Sequence, residues 1–175
     1  MTAADEASTG DCSAAFRREF DYVCQTLRRL GANNSDIEDL AHEVFLVLHR
    51  RWEHYDQERP LKPWLFGIAV RVVSSRRKTA QREIPHAVLE IEDLASSPDE
   101  ALAEHQARAL VLTALERLPL PRRAVFVMHD LDEVDMRTIA STLSIPLFTA
   151  YSRLRKARKE FEAAVRMLQQ RTRAR

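Results

Sequence analysis

Apolar residues recur at helical spacing along most of the chain. In residues 13–30 they are separated by alternating steps of four and three, which predicts one buried stripe on a helix that Gly31 ends. The same spacing predicts a second helix over residues 37–51, and Ser35 and Glu38 stand where a capping box would begin it. A third helix is predicted over residues 62–78.

The helical spacing is lost after this third helix and returns near residue 100. Residues 84–100 carry prolines, serines and acidic residues but no lysine or arginine, which is typical of a linker. Four further helices are then predicted over residues 100–118, 122–131, 136–143 and 147–170. With only three glycines and almost no alternating apolar segment, we expect an all-α protein of two small helical domains joined by a flexible acidic linker. The predicted boundaries are 13–82 for the first domain, 83–99 for the linker and 100–170 for the second domain.

The composition favours a globular cytoplasmic protein. Hydrophobic residues make up 45% and charged residues 30% of the 175 residues, so a core can form. No apolar run approaches the roughly 20 residues that a membrane helix needs, and the N-terminal segment is polar and acidic, so no membrane insertion is expected. Two cysteines are too few for a disulfide framework, so Cys12 and Cys24 are expected to be free thiols.

The net charge of the chain is only +1, but two of its regions are strongly basic. Residues 151–175 carry nine basic residues against two acidic ones, and no acidic residue interrupts residues 61–81. Such regions favour a polyanion as partner. Aromatic residues beside the third helix could stack on the bases of single-stranded DNA. Trp64 is expected in the core instead, whereas Tyr55 could either pack in the core or stack on a base. The basic residues expected to face DNA here are Arg71, Arg76, Arg77 and Lys78.

The strongest local pattern is that of a helix-turn-helix in residues 135–158. A small residue stands where two helices would cross, and a short turn follows in which Ser144 takes the place usual for glycine. The second helix of the pair would present hydroxyl and basic groups to a major groove. An amphipathic hairpin with a solvated basic face would have the same spacing. The residues concerned are Thr149, Ser152, Arg153, Lys156 and Arg158.

The second predicted helix begins with a cluster of acidic residues, among them Asp39 and Glu43. Carboxylates there complement the helix dipole, and they could also form a surface on which another protein docks. His42 and His49 are seven positions apart, too far along a helix to share one metal ion. No catalytic constellation or phosphate-binding loop is present, so we expect no metal, no cofactor and no enzymatic activity.

Two blocks of the chain resemble the extracytoplasmic-function (ECF) subfamily of sigma-70-type transcription initiation factors. The first contains DIEDLAHEVFLVLHR (residues 36–50) and LKPWLFGIAVRVVSSRRK (residues 61–78). The second spans residues 115–158 and includes LERLPLPRRAVF and TIASTLSIPLFTAYSRLRKAR. Both blocks occur in the family's order, with an acidic segment between them, and the resemblance runs from residue 16 to about residue 165.

The resemblance implies a sigma factor that binds core RNA polymerase and directs initiation at promoter DNA. It implies that the first domain contacts the polymerase through Asp39, His42 and Glu43 and opens the −10 element. It also implies that the second domain binds the −35 element. The chain departs from the family pattern in ways that imply an altered base preference, namely at Arg71, Ser75, Glu133, Thr138, Phe148 and Tyr151.

Two other functions remain to be weighed. A stand-alone helix-turn-helix regulator would bind duplex DNA unaided, but it has no reason to carry the acidic helix. A helical hydrolase has no residues to assign. Because members of the family are commonly held by an anti-sigma factor, we also expect such an inhibitor, as a separate protein.

Overall fold

The structure, a computed structural model, describes residues 3–56, 58–83 and 99–173. These residues form helices and turns and contain no strand, which confirms the expected all-α class. The α-helices of the described chain are α1 (Ala3–Leu30), α2 (Ile37–Arg50), α3 (Leu61–Glu83), α4 (Asp99–Glu116), α5 (Leu120–Phe126), α6 (Met136–Thr142) and α7 (Leu147–Arg173).

Helices α1, α2 and α3 pack on one another and are called here the N-terminal half. Helix α1 begins ten residues before its predicted start but ends where predicted. Gly31 there has a φ of +82°, its N–H bonds to the Arg28 carbonyl, and the Ala32 N–H bonds to the Leu27 carbonyl. This pair of bonds is a Schellman motif, which favours glycine. Cys12 and Cys24 are both buried, and no disulfide joins them, as predicted.

The predicted capping box at the start of α2 is wrong. The chain enters α2 through a 3₁₀ turn, Asn34–Asp36, so Ser35 lies inside the helical stretch instead of at its N-cap. The Ser35 hydroxyl donates to the Asp36 carboxylate at 3.2 Å, and no side chain caps the helix. The apolar stripe of α2 is buried as predicted.

Helices α4 to α7 form the second helical unit, called here the C-terminal half. Helix α5 continues into a π-helix, Val127–Leu131, within the span predicted as one helix. Asp135 then caps α6 by accepting from the N–H groups of Arg137 and Thr138 at 2.9 and 3.0 Å. The turn between α6 and α7 contains Ser144 at a φ of +53°, so the position usual for glycine has the backbone conformation that glycine favours.

The two halves pack directly on each other, which the sequence pattern did not predict. Helix α1 contacts α4 and α5, and α3 contacts α6. Buried apolar side chains of both halves belong to one cluster, from Leu27 and Phe66 to Leu115 and Ile139. The predicted linker falls almost wholly on residues 84–98, which lie outside the described residues, so the domain boundaries stay predictions.

Candidate nucleic-acid and protein interfaces

The exposed side of α2 carries the residues predicted to contact a protein. Asp39, His42 and Glu43 are all exposed. His42 is oriented by its Nδ1, which lies 2.8 Å from the Glu38 carbonyl oxygen, and its ring lies 6.2 Å from that of Phe16. The acidic face of α2 is therefore on the surface although the two halves are packed together.

Leu46 adds an apolar residue to this face, and the sequence reasoning missed it. It is 57% exposed and follows Asp39, His42 and Glu43 by seven, four and three residues, so the four side chains form one stripe. A signal was available, because Leu46 is a leucine outside the helix's buried stripe. The α2 face is defined from here on by Asp39, His42, Glu43 and Leu46.

Three of the four basic residues predicted on α3 are exposed. Arg76 lies 3.7 Å from the Asp36 carboxylate, and its side chain is 59% exposed, so this ion pair contributes little stability. Lys78 is exposed near the end of the helix. Arg71 is exposed one turn after Gly67, to whose carbonyl oxygen its Nη1 donates at 3.1 Å.

Arg77 differs from this expectation, because its guanidinium is turned inward. Its Nη2 donates to the carbonyl oxygens of Leu30 and Gly31, at 3.0 and 3.3 Å, at the C-terminal end of α1. Burial lowers the pKa of Arg77. In this arrangement Arg77 satisfies helix-end carbonyls and complements the dipole of α1, so it is not available to DNA.

Tyr55 lies in a cluster of aromatic rings. Its ring stacks on that of Trp64 with centroids 4.7 Å apart and planes 7° apart, and Trp52 lies 5.4 Å away. The Tyr55 hydroxyl donates to the Arg59 carbonyl oxygen, and burial raises the pKa of Tyr55. Trp64, expected in the core, is only half-buried. One side of Tyr55 is thus occupied by an indole ring.

Helix α7 carries the residues predicted to read the −35 element. Thr149, Ser152 and Arg153 are half-buried, whereas Lys156 is exposed. Beneath them, Ala150 and Leu154 are buried against α6 and the rest of the C-terminal half, which confirms the predicted apolar anchor.

Arg158 is exposed but engaged by the π-helix. Its Nε and Nη2 donate to the two carboxylate oxygens of Asp130 at 2.9 and 2.6 Å, a bidentate pair. The hydrogen bond from Arg158 holds the pKa of Asp130 below its usual range. His129 joins the cluster through its Nδ1, 2.7 Å from the same carboxylate. Arg158 is therefore held in one orientation on the side of α7.

The first turns of α7 expose an aromatic surface. Phe148 is 83% exposed and Tyr151 is 55% exposed, three residues apart on one side of the helix. Both were noted from the sequence only as departures from a family pattern. Arg155, exposed one turn further, was not singled out at all, although its spacing from Tyr151 places it on the same side.

In the described part of the chain, no three His, Cys, Asp or Glu side chains are grouped so that they could hold a metal ion. No helix of that part is long and apolar enough to cross a bilayer.

Comparison with known families accounts for both halves. Sigma-70 region 2 matches residues 15–83, and sigma-70 region 4 matches residues 108–161. Together the two matches cover most of the chain and divide it as the helices do. The chain belongs to the sigma-70 family of transcription initiation factors.

Curated relatives give the subfamily. The ECF RNA polymerase sigma factor SigE of Mycolicibacterium smegmatis is 26% identical over 160 residues, covering 89% of this chain and 62% of that protein. The ECF RNA polymerase sigma-E factor of Escherichia coli strain K12 is 24% identical over 146 residues, covering 77% of this chain and 76% of the relative. Within the sigma-70 family, the chain is a member of the ECF subfamily.

Solved structures share the fold. The sigma factor RpoE of Bartonella quintana, solved with the anti-sigma factor NepR, superposes with a TM-score of 0.70 at 16% identity, covering 89% of this chain and 97% of the other. CnrH, solved with the cytosolic domain of CnrY, superposes with a TM-score of 0.66 at 18% identity, covering 93% and 94%. These likenesses support the two-unit helical architecture.

Proposed function

We propose that this chain is a dissociable, non-catalytic specificity subunit of RNA polymerase that acts in the cytoplasm. In this role it binds the core enzyme, recognises the −35 and −10 elements of promoters and directs initiation there. The observation that carries the proposal is the α2 face, which stays exposed on the half that matches sigma-70 region 2. A stand-alone regulator would have no use for such a face.

The α2 face is proposed to dock on the core enzyme. Leu46, which is 57% exposed, lies at the C-terminal end of a stripe with two acidic groups and a histidine, so the face combines charged groups with an apolar one. Many protein interfaces combine an apolar contact, which contributes much of the binding free energy, with polar groups at its rim. Charge on the rim would mainly speed association.

Co-purification with core polymerase tests the docking role. Glu43→Lys and Leu46→Glu should each reduce the recovered complex at least about tenfold, because a wrongly placed charge at an interface costs several kcal/mol and about 1.4 kcal/mol is a tenfold change. Glu53→Lys is the matched control, because Glu53 is equally exposed in the same half but lies beyond the end of α2. Retention of core binding by both face variants, together with tight unaided binding to duplex DNA, would favour the stand-alone regulator.

The basic residues of α3 are proposed to contact the −10 element. Arg71, Arg76 and Lys78 are exposed on one helix, and Tyr55 lies in the neighbouring connection. Arg76→Ala with Lys78→Ala should impair strand opening, followed by permanganate reactivity of thymines, more than core binding. Arg77 is left out of this test because its loss would remove hydrogen bonds to the end of α1. Equal loss of opening and core binding would contradict the division of roles.

Helix α7 is proposed to read the −35 element in the major groove. Thr149, Ser152 and Lys156 supply polar and positive groups, as helix-turn-helix recognition helices do. Phe148 and Tyr151 add an apolar surface where thymine methyl groups can be contacted. An altered base preference at −35 is therefore expected, and selection of bound duplexes from a random pool would measure it.

The proposed partners follow from the same role. They are core RNA polymerase, promoter DNA and a separate anti-sigma factor, and no membrane insertion is involved. Support for the anti-sigma factor comes from the solved structure of the sigma factor RpoE with the anti-sigma factor NepR, which shares this fold. CnrH, also of similar fold, was likewise solved in complex with another protein, the cytosolic domain of CnrY.

A further inference from the structure

Helix α7 is joined to the segment formed by α5 and the π-helix through an ion pair on each of its two edges. At the start of α5, Arg122 Nε donates to the Glu160 carboxylate at 2.8 Å. In the π-helix, the Asp130 carboxylate accepts from Arg158 Nε and Nη2 at 2.9 and 2.6 Å. The two ion pairs have opposite polarity, and together they are called here the α7 clamp.

The two anchors on α7 lie on opposite sides of its buried stripe. Arg158 and Glu160 are two residues apart, and successive helical residues turn by about 100°, so their side chains leave α7 about 200° apart. On the core side between them, Ala157 is buried and the Phe161 ring packs on that of Phe126 with centroids 4.7 Å apart. Helix α7 therefore rests on apolar contacts in the middle and is held by charge at both edges.

The segment beneath α7 has the length needed to reach both edges. Arg122 and Asp130 are eight residues apart, or at most about 12 Å along a helix, and a helix with its side chains is about 10–12 Å wide. The π-helix supplies the second anchor. The Asp132 N–H bonds to the Val127 carbonyl oxygen, five residues earlier, at 3.0 Å, and this wider turn changes the direction in which its side chains leave.

Ion pairs on both edges restrict rotation of α7 about its own axis. Side-chain ends lie about 5–6 Å from a helix axis, so a rotation of about 20° would move each of them by about 2 Å. The hydrogen bonds from Arg158 to Asp130, at 2.6–2.9 Å, can lengthen by only about 0.5 Å before they are lost. The apolar contacts in the middle of the stripe have no such directional requirement, so alone they would allow α7 to rock.

Rotation of α7 would affect contacts with base edges most. Ser152 and Lys156, which are proposed to read the −35 element, would move by the same 2 Å or so. Hydrogen bonds to base edges carry the sequence information and need side chains in register, whereas phosphate contacts carry none. A fixed rotation of α7 therefore supports discrimination between sequences more than affinity for DNA as such.

We propose that the α7 clamp fixes the rotation of α7, and that its four members, Arg122, Asp130, Arg158 and Glu160, are positioning residues for the reading of the −35 element. The proposal rests on the proposed function. It assigns Arg158, which the resemblance places among the DNA contacts, to holding α7 instead. The four side chains are between 20% and 50% exposed, so the pairs contribute little to global stability and can be neutralised without unfolding the chain.

Loss of one partner from each ion pair tests the proposal. Arg122→Gln with Asp130→Asn removes both pairs and leaves the net charge unchanged, so the general attraction to phosphates stays the same. Holoenzyme assembled from core polymerase and the full chain would choose between two fragments of a recognised promoter, one with its −35 element intact and one with that element shuffled. The preference for the intact element should fall at least about fivefold, as for the loss of one good base contact, with binding of the shuffled fragment changed less than about twofold.

Arg117→Gln with Glu133→Gln is the matched control. Both residues are exposed in the same half, and the two substitutions make the same charge changes, so the preference should stay as in the wild type. An unchanged preference in the clamp variant, or an equal loss on both fragments, would overturn the proposal. A wild-type holoenzyme that does not distinguish the two fragments would instead overturn the proposed function.

A double-mutant cycle separates positioning from direct DNA contact. If Arg158 acts only through Asp130, Arg158→Gln and Asp130→Asn should lower the preference equally, and their combination should add no further loss. The slope of binding against salt concentration, both on logarithmic scales, should stay the same in Arg158→Gln, because no phosphate contact is lost. A further loss in the combined variant, or a slope lowered by about one counterion, would overturn the role assigned to Arg158.

The motion of α7 can also be measured without DNA or core enzyme. Relaxation dispersion of the backbone amides of residues 147–161 in the full chain should show exchange on the microsecond to millisecond scale in the clamp variant. The wild-type chain and the control variant should show none. Equal behaviour of α7 in all three chains would overturn the clamp, whatever the result with promoter DNA.

Discussion

Replacement of Arg123 by methionine is expected to destabilise the folded chain by about 2–3 kcal/mol. The guanidinium donates to three carbonyl oxygens, those of Leu30, Glu116 and Leu118, at 2.7, 2.6 and 3.0 Å. Methionine keeps much of the aliphatic stem but leaves these acceptors without the donor. At about 2 kcal/mol for each hydrogen bond to a charged group, the loss is about 6 kcal/mol.

Relief of charge burial offsets part of that loss. Burial, followed by repulsion from Arg77, lowers the pKa of Arg123 well below its usual range, to about 10. At about 1.4 kcal/mol per pKa unit, this shift corresponds to roughly 3 kcal/mol that a neutral side chain recovers. The hydrogen bonds outweigh the desolvation cost, so the net change is destabilising.

Arg122→Met is the matched control for this experiment. Arg122 Nε donates to the Glu160 carboxylate at 2.8 Å, but the two side chains are 31% and 39% exposed, so its loss should cost no more than about 1 kcal/mol. Urea unfolding followed by far-ultraviolet circular dichroism measures both variants. If Arg123→Met proved no more destabilising than Arg122→Met, the reasoning about its buried hydrogen bonds would be refuted.

Three further predictions concern the C-terminal half. Glu133→Gly and Ser144→Gly should each raise the free energy of unfolding by about 0.5–1 kcal/mol, because relief of a positive φ outweighs glycine's larger entropy loss. Urea unfolding checks this, and a loss of stability in either variant would contradict it. Since the hydrogen bond from Arg158 lowers the pKa of Asp130, the ionised carboxylate stabilises the fold near neutral pH, and this contribution is lost as pH falls through the lowered pKa. The stability difference between wild type and Asp130→Asn should therefore shrink between about pH 6 and pH 2, and a constant difference would oppose this account. Lys156→Ala should reduce the slope of the logarithm of the −35 duplex binding constant against the logarithm of salt concentration by about one counterion. An unchanged slope would exclude a phosphate contact by Lys156.

Helices with one buried stripe could be predicted because the spacing of their apolar residues is a local property of the sequence. The end of α1 at Gly31 and the turn at Ser144 followed from glycine's place in helix ends, and both positions have positive φ. The start of α2 was mispredicted, because a 3₁₀ turn competes with a capping box for the same polar residues. The π-helix after α5 has no comparably simple pattern.

The contact between the halves could not be read from local spacing. Arg123 looks like one of several basic residues in a predicted helix, and its burial depends on a carbonyl 93 positions earlier. Arg77, which shares a basic run with Arg76, points inward because it donates to carbonyl oxygens at the end of α1, and this contact is also distant in the sequence. The α2 face was predicted except for Leu46, which lies off the buried stripe of its helix.

Run-off transcription tests the central claim most directly. Core RNA polymerase would be incubated with fragments of the source genome, with and without the purified chain, and the transcript starts mapped. The account predicts new transcripts that depend on the chain, begin downstream of shared −35 and −10 sequences, and disappear with Glu43→Lys but not with Glu53→Lys. Absence of any transcript that depends on the chain would contradict it.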